Sequence, residues 1–460
     1  MSSTATPEPD VSTGTLRRAV GASSLGNATE WYDYSVYAYL TLEISKHFFP
    51  GPHAILATLG TFAVSFVLRP LGGFIWGPLG DRFGRQKVMP ITIMLMAIGT
   101  FLLGVLPTYQ TIGIWAPILL IALRVVQGFS TGGEYGGAAT FMSEYAPDKR
   151  RGFWGSFLEF GTLGGYALAI GVVALVRAFV GQPAMTSWGW RIPFLVALPL
   201  GAVGVYLRLR LEDTPVYREL DSRGQTEAAA STALGDLLRE YWRPILKLFA
   251  LVVALNIADY TLLTYMPTYL QTTIHMSAGS ALLLVAIGYL CMMALIPFVG
   301  LLSDRIGRKP CWWISLIGLF VLATPMFWLM AQNFALAIVG FVVLGILLLL
   351  QLGTISATFP AMFPGHVRYA GMAVSYNVAT AAFGGTAAFI NAALIDATGN
   401  TLMPAFYMMF GCVVGGIGLW KVVETRGSSL RGRGLPGTSG EPDQKPPSGG
   451  AQVPPAAPVT

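Results

Sequence analysis

Twelve apolar runs, each close to 20 residues long, follow one another down this chain. A helix rises 1.5 Å per residue, so about 20 apolar residues cross the roughly 30 Å hydrocarbon core of a bilayer. Inside lipid every backbone N–H and C=O must find its partner within the protein, which such runs achieve as helices. The sequence therefore reads as an all-α membrane protein of twelve transmembrane helices. They fall at 19–41, 54–78, 88–107, 113–137, 152–178, 190–208, 245–271, 278–301, 310–331, 334–358, 369–394 and 402–423. With 54% hydrophobic and 11% charged residues, the composition excludes a water-soluble globule.

The polar stretches between runs set the organisation. An N-terminal segment, 1–18, precedes a six-helix bundle at 19–210. A linker at 211–244 leads to a second six-helix bundle at 245–425, and a tail at 426–460, rich in Gly, Pro and Ser, reads as disordered. Arg17 and Arg18, Arg82, Arg85 and Lys87, Lys149 to Arg151, the linker bases, Arg305, Arg308 and Lys309, Arg368, and Arg426, Arg431 and Arg433 all fall on one side of twelve spans. Basic loops stay inside, so both termini are expected in the cytoplasm of a cell bounded by this membrane. The net charge of +6 resides in these clusters and is no nucleic-acid footprint. The stretch to Thr15 is polar and does not read as a cleavable signal. Cys291, Cys311 and Cys412, and the four histidines, lack the spacing of a disulfide framework or a metal site, and no cofactor is implied.

The two halves echo each other. The run from Gly77 through Asp81, Arg82 and Arg85 to Lys87 recurs from Gly300 through Asp304, Arg305 and Arg308 to Lys309. Pro147 to Gly152 recurs more loosely from Pro364 to Gly371, and each half ends on an acid-led motif at Glu212 and Glu424. Three matches in register point to duplication, an architecture suited to alternating access.

Charges inside the spans are the functional candidates, since each costs at least a few kcal/mol at mid-bilayer. Glu30 and Asp33 lie i, i+3 on one face of the first span with Asn27 and Tyr37, among Trp31, Tyr32 and Tyr34. The fourth span aligns Arg124, Gln127, Thr131 and Glu134 on one face. Arg124 needs an anion, which a helix carboxylate (Glu30, Asp33 or Glu134) or a substrate carboxylate supplies equally well. Glu159 lies on a stripe with Ser156, Thr162 and Tyr166; Asn256, Asp259 and Tyr260 precede Pro267, which marks a kink or helix end. Tyr376, Asn377 and Asn391 belong to the eleventh span, where the asparagines either line a path or bond between helices.

The Asp81 motif with its second copy resembles the signature of the major facilitator superfamily. GNATEWYDYSVYAYL from Gly26, the RPLGG of Arg69–Gly73, QGFSTGGEYGGA of Gln127–Ala138 and the stretch Gly189–Phe194 are similar to its metabolite:proton symporter branch. The similarity runs from about residue 20 to 425 and extends to Asn256–Tyr269 and Phe359–Tyr369. It implies the major facilitator fold, a location in the bacterial inner membrane, and a monomer that moves a small molecule together with a proton. It also implies a cytoplasmic charge latch: Asp81, Arg82, Arg85 and Glu144, with Asp304 and Arg308 as counterpart. Osmosensing members of the branch carry a C-terminal coiled coil, and the tail here has no heptads.

Three function classes are open to such a chain. A membrane-embedded enzyme or an ATP-driven pump would need a nucleotide loop or a metal motif, and none is written here. Midplane acids in duplicated halves suit a carrier better than a fixed pore. The expectation is a proton-coupled symporter of a zwitterionic osmolyte such as proline or glycine betaine. Glu30, Asp33, Glu159 and Asp259 are its proton-coupling candidates. Arg124, Trp31, Tyr34, Tyr37, Asn256, Tyr260, Tyr376 and Asn377 are its substrate-binding candidates. Aromatic faces would hold a quaternary ammonium at about 0.5–2 kcal/mol each. The alternative is a symporter of carboxylates such as 2-oxoglutarate, shikimate or citrate, since Ser375–Gly385 resembles dicarboxylate carriers. Several acids against one clear central arginine favour the zwitterion.

Overall fold

A computed structural model describes residues 13–73, 75–76, 85–132, 134–209, 234–364 and 367–430. Among the described residues the regular structure is helical throughout, with no strand. The first half comprises α1 (Thr13–Tyr39), α2 (Thr41–Phe48), α3 (Ala54–Val67), α4 (Arg85–Val105), α5 (Trp115–Ser130), α6 (Glu134–Tyr145), α7 (Arg151–Ser187) and α8 (Ile192–Leu209). The second half comprises α9 (Leu234–Asp259), a π-helix (Tyr260–Tyr265), α10 (Met266–Thr272), α11 (Ala278–Ile306), α12 (Arg308–Met330), α13 (Phe334–Leu352), α14 (Arg368–Phe383), α15 (Gly385–Thr398) and α16 (Met403–Leu419). Counting α5 with α6, α9 through α10, and α14 with α15 as single columns, every expected span has its helix.

Lipid-facing positions carry large apolar side chains, such as Leu290, Phe298, Val321 and Ile417, which stay exposed in the folded chain. Polar residues turn inward. Tight turns use capping side chains: Ser277 accepts from Ser280 N at the start of α11, and Asn333 from Leu336 N at the start of α13. Small residues bring the columns close. At Gly128 and Gly132 the α5 column lies directly on the backbone of Ser65 and Arg69, where a Cβ would collide. The halves meet through α7 against α11 and α3 against α15.

Two boundaries move. Helix α9 begins at Leu234, inside the stretch read as linker (211–244); the linker's residues 210–233 lie outside the described set, as do 1–12 and 431–460. The expected disorder of the tail is not met for Arg426–Leu430. Arg151 Nη1 donates to Ser428 O (2.9 Å) and Arg368 Nη2 to Leu430 O (2.7 Å), and the Leu430 side chain is buried. One arginine comes from each half, so this strip straps the face that carries the start of α1 and the end of α16, called below the tail-side face.

Candidate functional site

The acids of the first span are buried as their spacing requires. Glu30 accepts from Arg69 Nη2 at 3.4 Å, with both side chains under 9% exposed. Arg69 follows α3, and its guanidinium also faces the rings of Tyr34 (5.6 Å) and Phe66 (5.4 Å). Where one central arginine was expected, two are buried beside the acids among the described residues. Arg124 Cζ lies over the Tyr37 ring, 3.5 Å from its centroid, and the guanidinium donates to Gln127 Oε1 at 3.1 Å, while Gln127 donates to Thr100 Oγ1. Asp33 is within electrostatic reach of Arg124. Glu30 is therefore engaged with Arg69, and Asp33 is the acid nearer in charge to Arg124. The side chain of Glu134, the third acid considered for Arg124, lies outside the described set.

Around these charges stands an aromatic wall drawn from both halves. The Trp31 ring lies 5.3 Å from Tyr166 and 6.1 Å from both Tyr34 and Tyr260, and Tyr260 meets Phe66 edge-on at 5.3 Å. Tyr34 Oη and Thr131 Oγ1 share a 2.6 Å hydrogen bond. Tyr135 donates to Glu159 and stacks on Tyr376 of the other half, ring centroids 4.6 Å apart. Asp259 is buried at the end of α9, close enough to Glu159 for their charges to interact.

Asp259 and Tyr260 owe their placement to the π-helix that follows. Pro267 has no N–H, so an α-helix through it would leave the carbonyl four residues back, that of Leu263, without a partner. The chain widens into a π-turn there, and the Leu263 carbonyl accepts instead from the hydroxyls of Tyr39 (3.3 Å) and Tyr289. Those hydroxyls bond each other at 2.8 Å. The expected kink at Pro267 is thus a π-turn on its N-terminal side, placing a first-half tyrosine on a second-half carbonyl.

The asparagines bond between helices. Asn256 Nδ2 donates to Thr380 Oγ1 (2.9 Å) and Asn391 Nδ2 to Thr261 Oγ1 (2.8 Å), both within the second half. Asn377 Nδ2 crosses the seam to Gly132 O at 2.8 Å.

On the tail-side face Asp304 accepts from the backbone amides of Gly152 (2.8 Å) and Phe153 (2.9 Å), at the start of α7 in the opposite half, and pairs with Arg308 at 2.7 Å. Glu424 caps the start of α12 through Arg308 N and Lys309 N. Glu144 accepts from Arg368 across the seam at 3.3 Å. Asp81 and Arg82 lie outside the described residues; Arg85 opens α4, and its side chain lies outside them too.

Arg69, part of the RPLGG motif, is the central residue not expected in the site. Its signal was available, since an arginine inside the apolar run 54–78 is an intramembrane charge like Arg124.

The sequence model of the Major Facilitator Superfamily matches residues 24–389. The "Proline/betaine transporter" of Escherichia coli (strain K12) is 43% identical over 429 residues, covering 91% of this chain and 86% of that one. The "Glycine betaine/proline/ectoine/pipecolic acid transporter OusA" of Dickeya dadantii is 42% identical, covering 91% and 85%. Among solved structures, the proton:xylose symporter XylE bound to 6-bromo-6-deoxy-D-glucose superposes with a TM-score of 0.72 at 18% identity, over 91% of this chain and 98% of that chain. Twelve helical columns in that fold, the family match over most of the length and relatives above 40% identity converge: this chain is a multi-pass membrane transporter belonging to the major facilitator superfamily.

Proposed function

We propose that the protein takes up a small zwitterionic osmolyte, such as proline or glycine betaine, together with a proton. The observation that carries this reading is the charge balance of the buried core, which sets Glu30, Asp33, Glu159 and Asp259 against Arg69 and Arg124 inside an aromatic wall. A zwitterion brings one charge of each sign to such a place, whereas a dicarboxylate adds two negative charges to an excess of acids. Relatives named for proline, betaine and ectoine support the same class. Glu30, Asp33, Glu159 and Asp259 are the proton carriers or relays. Trp31, Tyr34, Tyr260 and Tyr376 supply ring faces for the cationic end, the Tyr37 ring being covered by Arg124, with Arg124, Asn256 and Asn377 as further polar contacts.

In this reading the two six-helix bundles, 19–210 and 245–425, alternate about the core as a monomer in a bacterial inner membrane. The tail-side face is cytoplasmic, because the basic loops lie there. The motif containing Asp81, Arg82 and Arg85, with Glu144, and its counterpart at Asp304 and Arg308 form the latch on that side. De-energised vesicles given an imposed inward proton gradient test the proposal. Radiolabelled proline accumulates above equilibrium, betaine competes, and Glu30→Gln abolishes the accumulation. Equilibration without accumulation, or uptake of citrate or 2-oxoglutarate with none of proline or betaine, overturns it.

A further inference from the structure

Four buried polar atoms beside the inter-half seam lack a hydrogen-bond partner among the described residues: Arg69 Nε, Trp31 Nε1, Tyr260 Oη and Asp259 Oδ1. Burial without a partner costs about 1–3 kcal/mol for each such group. They are also neighbours. The Arg69 guanidinium lies 5.4 Å from the Phe66 ring, Phe66 lies 5.3 Å from Tyr260, and Tyr260 lies 6.1 Å from Trp31 and next to Asp259 in the chain. Three can donate to an anion, and the fourth can receive a cation. Two come from the first half's α1 and the segment after α3, and two from the junction of α9 with the π-helix.

Arg124 also has unpartnered nitrogens, Nε and Nη2. Its surroundings differ, however. Its ring and hydrogen-bond contacts, Tyr37, Phe62 and Gln127, all belong to the first half. Arg69 instead has Tyr260 and Tyr376 of the second half within electrostatic reach. A solute handed from one side to the other by rocking halves must be gripped where both halves reach it.

Among the described residues the acid that meets Arg69 does so at long range for a charged pair. At 3.4 Å through a single nitrogen, the Glu30 contact is far from the bidentate geometry that repays the desolvation of a buried pair. Such a pair is suited to exchange. The groups that bear on Glu30 are Arg69, Glu159 of α7, Tyr376 of α14, and Asp33 and Tyr34 on its own helix.

We propose that Arg69, rather than Arg124, holds the substrate carboxylate, taking it in exchange for Glu30, and that Trp31, Tyr260 and Asp259 complete the site. The proton binds the released Glu30 carboxylate, leaving Arg69 charged and facing the substrate. Trp31 Nε1 and Tyr260 Oη donate beside Arg69 to the carboxylate, and Asp259 receives the cationic end against their ring faces. This rests on the zwitterion reading above and deepens it by naming the atoms that grip each end.

The test compares exchange of radiolabelled proline in wild type, Arg69→Lys, Arg124→Lys and Glu30→Gln, each corrected for membrane abundance. Arg69→Lys raises the KM for proline about tenfold, the rise expected when a planar fork becomes a point charge, and more than Arg124→Lys does. Glu30→Gln retains exchange, and its KM no longer varies with pH. An unchanged KM in Arg69→Lys, or a larger rise in Arg124→Lys, overturns the assignment while wild-type proline transport leaves the zwitterion reading intact. Wild type that exchanges no zwitterion but does exchange citrate defeats both. If Arg69→Lys fails to reach the membrane, Glu30→Gln decides: a KM that varies with pH as in wild type overturns the proposal.

Discussion

The seam between the halves is bridged at both ends, by different chemistry at each. On the tail-side face Asp304 takes two backbone amides of the opposite half, Glu144 meets Arg368, and two buried arginines hold the carbonyls of Ser428 and Leu430. On the far face the Tyr39 hydroxyl shares the Leu263 carbonyl with Tyr289, Phe389 packs over Gly60, and His53 and Asp396 stand 3.9 Å apart in solvent. Charge-assisted bonds to fixed backbone groups are directional and stronger than neutral ones, so the tail-side contacts are the costlier to break. Rings and hydroxyls tolerate sliding, so the far contacts are the less directional. The two ends of the seam thus differ in what joins the halves, directional charge-assisted bonds on one face and rings with neutral hydroxyls on the other.

Four substitutions would break or sharpen this contrast. Asp304→Asn should act most strongly. It weakens two charge-assisted bonds and an ion pair, at roughly 1.5–3 kcal/mol for each bond to a charged group, so tail-side opening should shift by on the order of a hundredfold. Maleimide reactivity of a single cysteine at Trp154, in a background lacking the native cysteines, reads that shift, and reactivity equal to wild type would erase the contrast. Arg368→Gln comes next. It removes the charge that serves Glu144, Pro360 O and Leu430 O, and uptake should fall about tenfold at matched abundance, on the scale of 1.4 kcal/mol. Restored uptake on adding Glu144→Gln would show that the loss came from the acid left behind.

Tyr39→Phe should be milder. A neutral hydrogen bond contributes about 0.5–1.5 kcal/mol, so a cysteine near the far face should label only severalfold faster, with no dependence on salt. A strong salt dependence would mean that the far contact is also electrostatic. His53→Ala should do least. The pair is exposed, and such contacts contribute about 0–1 kcal/mol, so uptake should stay within about twofold of wild type across salt concentrations. A larger loss would move the far contact outward to that pair.

Much of the fold was legible because a bilayer leaves a chain few options, and the length of each apolar run carries the message. The acids were legible too, since a charge inside such a run stands out. Partners were not. That Glu30 meets Arg69 depends on how α1 lies against the end of α3, and the glycines at 128 and 132 that seat α5 on the α3 backbone likewise do not announce which column they serve. The π-turn was half visible. Pro267 forecasts a disturbance, but the hydroxyls that take the Leu263 carbonyl come from Tyr39 and Tyr289, far away in sequence. Composition pointed the wrong way for Arg426–Leu430, because it says nothing of main-chain carbonyls, and those of Ser428 and Leu430 are bound by buried arginines far away in the chain.

The grip of Asp304 on the amides of Gly152 and Phe153 has one more consequence. Every residue except proline offers the same amide, so the side chain at 153 can drift through generations without loosening the closure, while the acid must stay. A contact between side chains leaves paired, compensating changes in a lineage. A contact to main chain leaves none, so correlated substitution among relatives should be silent at this joint between the halves.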